Sequence, residues 1–314
     1  MKALITGVAG FIGSYIADEL VNRGWEVSGI DDLSFGLEKN VNSEVDFVVH
    51  DICDKKIMRE LAEGVDVIFH MAAVKKIKES DSALPTALSI ADGTLSVLRA
   101  AEVNKCKVIL ASTSDVYGHG KVPFIESNDH SFGPSNVKRW TYAVSKLYTE
   151  HLAYAFQDKI QFVILRYCGI FGPRMRNLWS GTHVSLFINA LLNNESVVIH
   201  GDGFQTRPLL YIDDAIDCTI RAAENPAANR EIFNVGGNEE ISVLDTARMI
   251  HKIINNKKPL LLKFVDMKDV FGQYEEIMRR QIDMTKAEKI LGFKQTISIN
   301  EGLKIIIDKW RKQL

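Results

Sequence analysis

Tyr142 and Lys146 close the pentapeptide Tyr142-Ala-Val-Ser-Lys146. That spacing sets the two side chains one turn apart on a single helix face. A phenol titrates near about 10, and a neighbouring ammonium favours the phenolate, so this tyrosine is a candidate base near neutrality. The pair alone fits a solvated helix face equally well. Two companions point to chemistry: a hydroxyl cluster upstream, Ser112-Thr113-Ser114, and a glycine-rich turn near the N-terminus, Gly7-Val-Ala-Gly10-Phe11-Ile12-Gly13.

The glycines have separate tasks if the turn joins a strand to a helix. Gly7 permits the tight turn, Gly10 lets the backbone approach a pyrophosphate, and Gly13 allows close helix–strand packing. The helix N-terminus then supplies amide donors to the anion. The spacing is Gly-x-x-Gly-x-x-Gly rather than Gly-x-Gly-x-x-Gly, so a purely structural turn is the competing reading. The next apolar run ends at Asp31-Asp32. A carboxylate there binds adenosine ribose hydroxyls and repels a 2′-phosphate, which favours NAD over NADP. Asp51-Ile52 is placed to flank the adenine. After His70, the small residues of Met71-Ala72-Ala73 let a dinucleotide lie against the backbone.

These residues need a scaffold that brings strand ends together. Apolar runs at 2–6, 26–30, 46–49, 65–70, 107–111 and 162–166 read as strands, alternating with helical periodicity over 11–23, 55–62, 83–104 and 141–156. That alternation predicts an α/β fold, a doubly wound parallel sheet with right-handed crossovers. Beyond Arg166 the pattern loosens. A helix is expected over 183–192, strands over 197–200 and 209–212, a helix from Asp213, and amphipathic helices over 242–254 and 299–312. The expected division is a dinucleotide-binding domain over 1–167, rejoined by about 209–224, and a smaller substrate lobe over most of 168–314.

Composition narrows the class. The chain has 314 residues, 46% hydrophobic and 25% charged, with a formal net charge of -2. This is ordinary globular composition, and the lack of a long basic block argues against nucleic-acid binding. Cys53, Cys106, Cys168 and Cys218 form no Cys-x-x-Cys pair, which fits reduced thiols rather than a zinc site or disulfide scaffold. Met1 to Gly7 reaches a glycine turn too early for a signal-peptide apolar region, and no run approaches a membrane span. The expectation is a cytoplasmic protein with no metal and no membrane contact.

Together these pieces resemble the extended short-chain dehydrogenase/reductases, specifically the nucleotide-sugar epimerases and dehydratases. The resemblance is carried in order by Thr6-Gly-Val-Ala-Gly-Phe-Ile-Gly13, Asp31-Asp-Leu-Ser34, His70-Met-Ala-Ala73, Ser112-Thr-Ser-Asp-Val-Tyr-Gly118 and Tyr142-Ala-Val-Ser-Lys146. It continues through Arg166-Tyr-Cys-Gly-Ile-Phe-Gly-Pro-Arg174 and Gly201-Asp-Gly-Phe-Gln-Thr-Arg207. It implies a Rossmann-type domain holding NAD through Gly7, Gly10, Phe11, Ile12, Gly13, Asp31, Asp32, Ser34, Asp51, Ile52, Met71, Ala72, Ala73 and Lys75, together with Tyr142 and Lys146. The implied substrate is a nucleotide-diphosphate sugar and the implied assembly a homodimer through 83–104 and 141–156. Tyr142 would remove the sugar C4 hydroxyl proton, Lys146 would tune it, and Thr113 would bridge the same hydroxyl. Substrate contacts are implied for Lys75, Thr113, Gly169, Arg207 and Arg279, with Arg280 a rival to Arg279 by one residue.

Ser114 and Asp115 stand where the family's dehydratases carry an Asp-Glu pair and its decarboxylases a Ser-Glu pair. Dehydration is therefore disfavoured, and Asp115 serves either as a catalytic carboxylate or as a loop residue bonded to backbone. Three departures bear on the sugar: Cys168-Gly169 replaces Phe-Asn, Pro208 follows Arg207 in place of Asp, and Ile90 takes the position of an asparagine before Gly93-Thr94. The leading expectation is an NAD-dependent nucleotide-sugar 4-epimerase. Decarboxylation of a nucleotide-linked uronic acid, net C4 oxidation, and a non-catalytic dinucleotide sensor are the alternatives.

Overall fold

Short apolar strands alternating with helices bury both of their faces only when paired in parallel and covered on each side. The computed structural model describes residues 1–74, 82–176, 183–254, 257–273 and 275–312. Its first half runs β1 (Lys2–Thr6), α1 (Phe11–Asn22), β2 (Glu26–Asp31), β3 (Asp46–Val49), α2 (Lys55–Leu61), β4 (Val67–His70), α3 (Leu84–Asn104), β5 (Lys107–Thr113), α4 (Arg139–Ala155) and β6 (Phe162–Cys168). The second half adds β7 (Ile170–Phe171), α5 (His183–Leu192), β8 (Val197–His200), β9 (Thr206–Pro208), β10 (Leu210–Tyr211), α6 (Ile212–Glu224), β11 (Glu231–Gly236), β12 (Glu240–Ser242) and α7 (Val243–Ile254). It ends with β13 (Leu262–Val265), α8 (Met267–Phe271), α9 (Thr285–Leu291) and α10 (Ile299–Arg311).

Seven strands form one parallel sheet in the order β11-β6-β5-β4-β1-β2-β3. The order reverses between β1 and β4, the switch point at which open α/β sheets bind ligands. Every residue of β4 and of β6 is buried, as expected of strands covered on both faces. Separate hydrophobic clusters lie on the two sides: Ile5, Phe69, Ile109 and Leu165 on one, Leu4, Ile68, Leu110 and Ile164 on the other. The alternation along each strand follows the period of two.

One strand of the sheet departs from the sequence expectation. The run Ile232-Phe233-Asn234-Val235 is short and broken by a polar residue, but β11 pairs with β6 from Glu231↔Val163 to Gly236↔Cys168. Asn234 is buried because its side chain is satisfied there. It accepts from the Tyr117 hydroxyl at 2.7 Å and donates to the carbonyls of Phe124 and Asp283. Three two-stranded pairs stand outside the large sheet: β10 with β7, β12 with β9, and β13 with β8. α6 packs on α1 and on the sheet. No helix among the described residues is long and apolar enough to cross a membrane.

Candidate active site

The carboxyl ends of β1, β2, β4, β5 and β6 open into one cleft of about 780 Å³, within the usual range for a ligand site. Gly7, Gly10, Phe11, Ile12 and Gly13 line it, as do Asp31, Asp32, Ser34, Asp51, Ile52, Met71, Ala72 and Ala73. Thr113, Ser114, Asp115, Tyr142, Lys146, Gly169 and Arg207 line the same cleft. Two residues from the sequence expectation are not placed there: Lys75 lies outside the described residues, and Arg279 is on the surface.

The glycine turn fits a dinucleotide. A Cβ on Gly13 would sit 2.2 Å from the Gly7 carbonyl oxygen, so the first turn of α1 packs against the end of β1 only with glycine there. α1 starts at Gly10 with no side-chain cap, leaving first-turn amides for an anion. Asp31 is buried and braces the turn: its carboxylate accepts from the Ala9 amide at 3.1 Å and the Leu33 amide at 2.9 Å. Burial raises its pKa, against those two hydrogen bonds. Asp32 is exposed and accepts from the Ser34 amide and hydroxyl at 2.9 and 2.6 Å. Behind the turn, His70 bridges Thr6 and Thr94, and burial lowers its pKa to about 3.

Tyr142 and Lys146 lie on α4 facing the end of β5. Tyr142 hydrogen-bonds Thr113. Burial pushes the phenol well above its ordinary value, the Asp115 charge adds to this, and the Thr113 bond opposes it. Lys146 follows one turn along the same face of α4. It extends to the Ala111 carbonyl at 2.8 Å, and burial lowers its pKa to about 8 with Glu150 opposing.

At the other side of Thr113 lies a buried ionic cluster. Asp115 Oδ1 pairs with Arg280 at 2.7 Å and with Arg139 at 3.2 Å. Arg139 also reaches Glu276 at 3.4 Å, and Arg207 meets the same carboxylate at 3.0 Å. Burial works against the Glu276 charge, yet Arg207, Arg139 and Arg280 together hold its carboxyl below the usual range. Asp115 is thus an ion-pair acceptor for two guanidiniums, with its own amide bonded to the Thr113 hydroxyl at 3.2 Å.

Arg280 takes the cleft position expected of Arg279. The Arg279 side chain points outward and pairs with Glu240 at 3.0 Å. Both residues precede α9 in an irregular segment, where no periodicity indicates which faces in. Arg139 went unnoticed in the sequence, although it precedes Tyr142 by three residues and so shares its helix face. Nothing in the sequence signalled Glu276 or His183, which line the cleft with Gln205 of the Gly201–Arg207 motif. Burial, and then Arg207, lower the His183 pKa to about 3.

Two of the departures at the sugar end touch each other. Gly169 has φ of +67°, and a Cβ there would lie 2.4 Å from the Pro208 carbonyl oxygen. Gly169 therefore permits a close backbone crossing and offers the cleft no side chain. Cys168 beside it is buried; burial raises its pKa, and Arg280 acts the other way. Trp140 packs in the core and donates to Glu275 at 3.1 Å.

Comparison with known proteins gives this geometry a context. Residues 3–236 match the NAD dependent epimerase/dehydratase family. The chain is 36% identical to the UDP-N-acetyl-alpha-D-glucosaminuronate decarboxylase of Bacillus cytotoxicus, covering 99% of this chain and 98% of the relative. It is 30% identical to a putative UDP-glucose 4-epimerase of Methanocaldococcus jannaschii, with 98% of each chain covered. A Bacillus cereus UDP-glucuronic acid 4-epimerase variant, solved with UDP-4-deoxy-4-fluoro-glucuronic acid and NAD, superposes with a TM-score of 0.89 at 30% identity over 100% of both chains. Its cofactor is NAD, and the cleft that fits it belongs to an enzyme: the chain is a member of the NAD dependent epimerase/dehydratase family.

Proposed function

We propose that this enzyme decarboxylates a UDP-linked uronic acid, with a UDP-linked 2-acetamido uronic acid as the first candidate substrate. The observation that carries the reading is the Arg139–Asp115–Arg280 cluster beside Thr113 and Tyr142. Guanidinium groups suit carboxylate oxygens. Here three arginines share two protein carboxylates. The cluster offers directional N–H donors with little net charge, so it can orient a substrate carboxylate without binding it so strongly that its loss as neutral carbon dioxide is opposed. The Bacillus cytotoxicus relative, a decarboxylase by name, supports the same choice.

NAD, when bound, accepts the hydride of the sugar C4 and returns it later. The chain's own residues do the rest. Tyr142 takes the C4 hydroxyl proton as a phenolate favoured by the Lys146 ammonium one turn along α4, with Thr113 orienting the oxygen. Once C4 is a ketone, the C5 carboxylate is a β-keto acid. Breaking its C–C bond releases carbon dioxide and leaves the electron pair on C5, delocalised onto the C4 oxygen. The Tyr142 phenol, now carrying the proton taken from the C4 hydroxyl, donates to that oxygen. A solvent proton then adds at C5. Arg207 and Arg280 are the assigned anion-binding residues, in place of Arg279. Residues 168–314, apart from β10, α6 and β11, form the sugar-nucleotide side.

Inversion at C4 with the carboxylate retained is the second reading, favoured by the likeness to the Bacillus cereus 4-epimerase. The two are separated by incubating the enzyme and NAD with UDP-glucuronic acid and with its 2-acetamido counterpart, following products by proton NMR and carbon dioxide by release. A UDP-pentose with stoichiometric carbon dioxide supports decarboxylation, whereas a C4-inverted uronate without gas establishes the epimerase. Four free cysteines suit a reducing compartment, in keeping with a cytoplasmic assignment. A homodimer is the expected assembly: α3 and α4 expose Leu84, Val103, Val144 and Tyr148, a face a second copy would cover, and light scattering reads it.

A further inference from the structure

Glu150 takes no part in the chemistry above, yet it is a buried carboxylate one helical turn beyond Lys146. Tyr142, Lys146 and Glu150 recur every four residues along α4 and so form one stripe. Glu150 and Lys146 are each 2% exposed. The Glu150 carboxylate is anchored from the sheet: the Ser112 hydroxyl bonds Oε1, Arg166 Nε donates to Oε1 at 3.0 Å, and Arg166 Nη2 donates to Oε2 at 2.6 Å. Ser112 and Arg166 are register partners on β5 and β6, so both anchors rise from one rung of the sheet. Arg166 is fixed in turn by the Glu126 carbonyl at 3.2 Å and by the Tyr117 ring at 4.8 Å.

We propose that Glu150 is a positioning residue that keeps Lys146 an ammonium despite its burial and, through Ser112 and Arg166, sets the register of α4 against β5. A buried ammonium with only the Ala111 carbonyl as acceptor would tend to shed its proton. Burial lowers the Lys146 pKa, and Glu150 is the one group acting to raise it.

The other titratable groups around α4 do not take this role. His70 on β4 is neutral at the end of its strand. Asp115, after β5, is engaged by Arg139 and Arg280. On α3, Asp92 and Arg99 are exposed, and Glu102 pairs with Lys159 at 2.8 Å. On β6, Arg166 is paired with Glu150 at 2.6 Å.

The inference rests on Lys146 serving the reaction proposed above, and the test separates the two. Lysines labelled with carbon-13 at the ε position are titrated by NMR, the Lys146 signal being the one lost in Lys146→Met. Glu150→Gln is expected to lower the Lys146 titration by about one pH unit or more. Glu150→Asp, which keeps the carboxylate but withdraws it by one methylene, lowers it by less. The alkaline limb of kcat follows the same order, with KM for the nucleotide sugar within about twofold. An unchanged titration in Glu150→Gln would overturn the proposal and leave Glu150 a strut. Should Glu150→Gln not fold, Glu150→Asp decides, because a parent-like Lys146 titration with the carboxylate withdrawn would overturn the proposal as well. If the titrations behave as expected while Tyr142→Phe retains full turnover, the active-site reading fails and the Glu150–Lys146 coupling stands.

Discussion

The Arg280 guanidinium lies 2.7 Å from the Asp115 carboxylate, tying the segment before α9 to the turn that follows β5. Asp115 is buried and Arg280 nearly so, and Arg139 shares the same carboxylate oxygen. Removing Arg280 leaves Asp115 with the longer Arg139 pair alone, at 3.2 Å.

Arg280→Met should lower kcat/KM for a carboxylated nucleotide sugar by about tenfold or more, the loss of one charged hydrogen-bond donor. Arg279→Met removes only a pair at a side chain that is 59% exposed and should stay within about twofold of the parent. Initial rates of the two variants side by side decide this. Equal losses would remove Arg280 from the carboxylate site.

Lys146 governs the alkaline side. Its pKa is lowered to about 8, so it is an ammonium below that pH and neutral above it. Turnover should fall as pH rises through about 8, with a slope of one proton. Stability moves the other way: the unfolded lysine, near about 10.4, binds a proton that the folded one has released, so folding becomes more favourable between those values. A kcat profile flat from pH 7 to pH 10 would contradict the requirement for the ammonium.

His70 and His183 govern the acid side. Both are buried, with pKa lowered to about 3. Unfolded histidines titrate near about 6.5, so between those values the unfolded chain binds more protons and stability falls as pH falls. Each contributes a slope of up to about 1.4 kcal/mol per pH unit in that window. Urea unfolding at pH 6.5, 5.5 and 4.5 should show the decline, and His183→Asn should remove about half of the histidine share.

Gly13 tests the cofactor turn. With a Cβ placed 2.2 Å from the Gly7 oxygen, Gly13→Ala must displace the turn or the start of α1. Overpacking of this kind costs about 1–3 kcal/mol, so NAD affinity should drop by about tenfold or more while the circular dichroism of the fold persists. Calorimetric titration with NAD measures it, and parent-like affinity would mean the cofactor does not use this turn.

Much of the scaffold was legible because its signals are local. Period-two runs and helical stripes indicated β1 and β3 at their observed bounds, and likewise α5 and β8. Glycine spacing and the Tyr142–Lys146 interval pointed to residues that do share one cleft. β11 was not legible, because its short run becomes a strand only through pairing with β6.

By itself, the sequence determined the alternating α/β order, the glycine turn, and the helix face carrying Tyr142 and Lys146, since each depends on neighbours a few residues apart. Only the tertiary structure decided that Arg280 rather than Arg279 enters the cleft, that Arg139 joins it on Asp115, and that Lys146 turns to the Ala111 carbonyl. Those outcomes depend on burial and on charges brought together across long stretches of chain, and no local spacing encodes either.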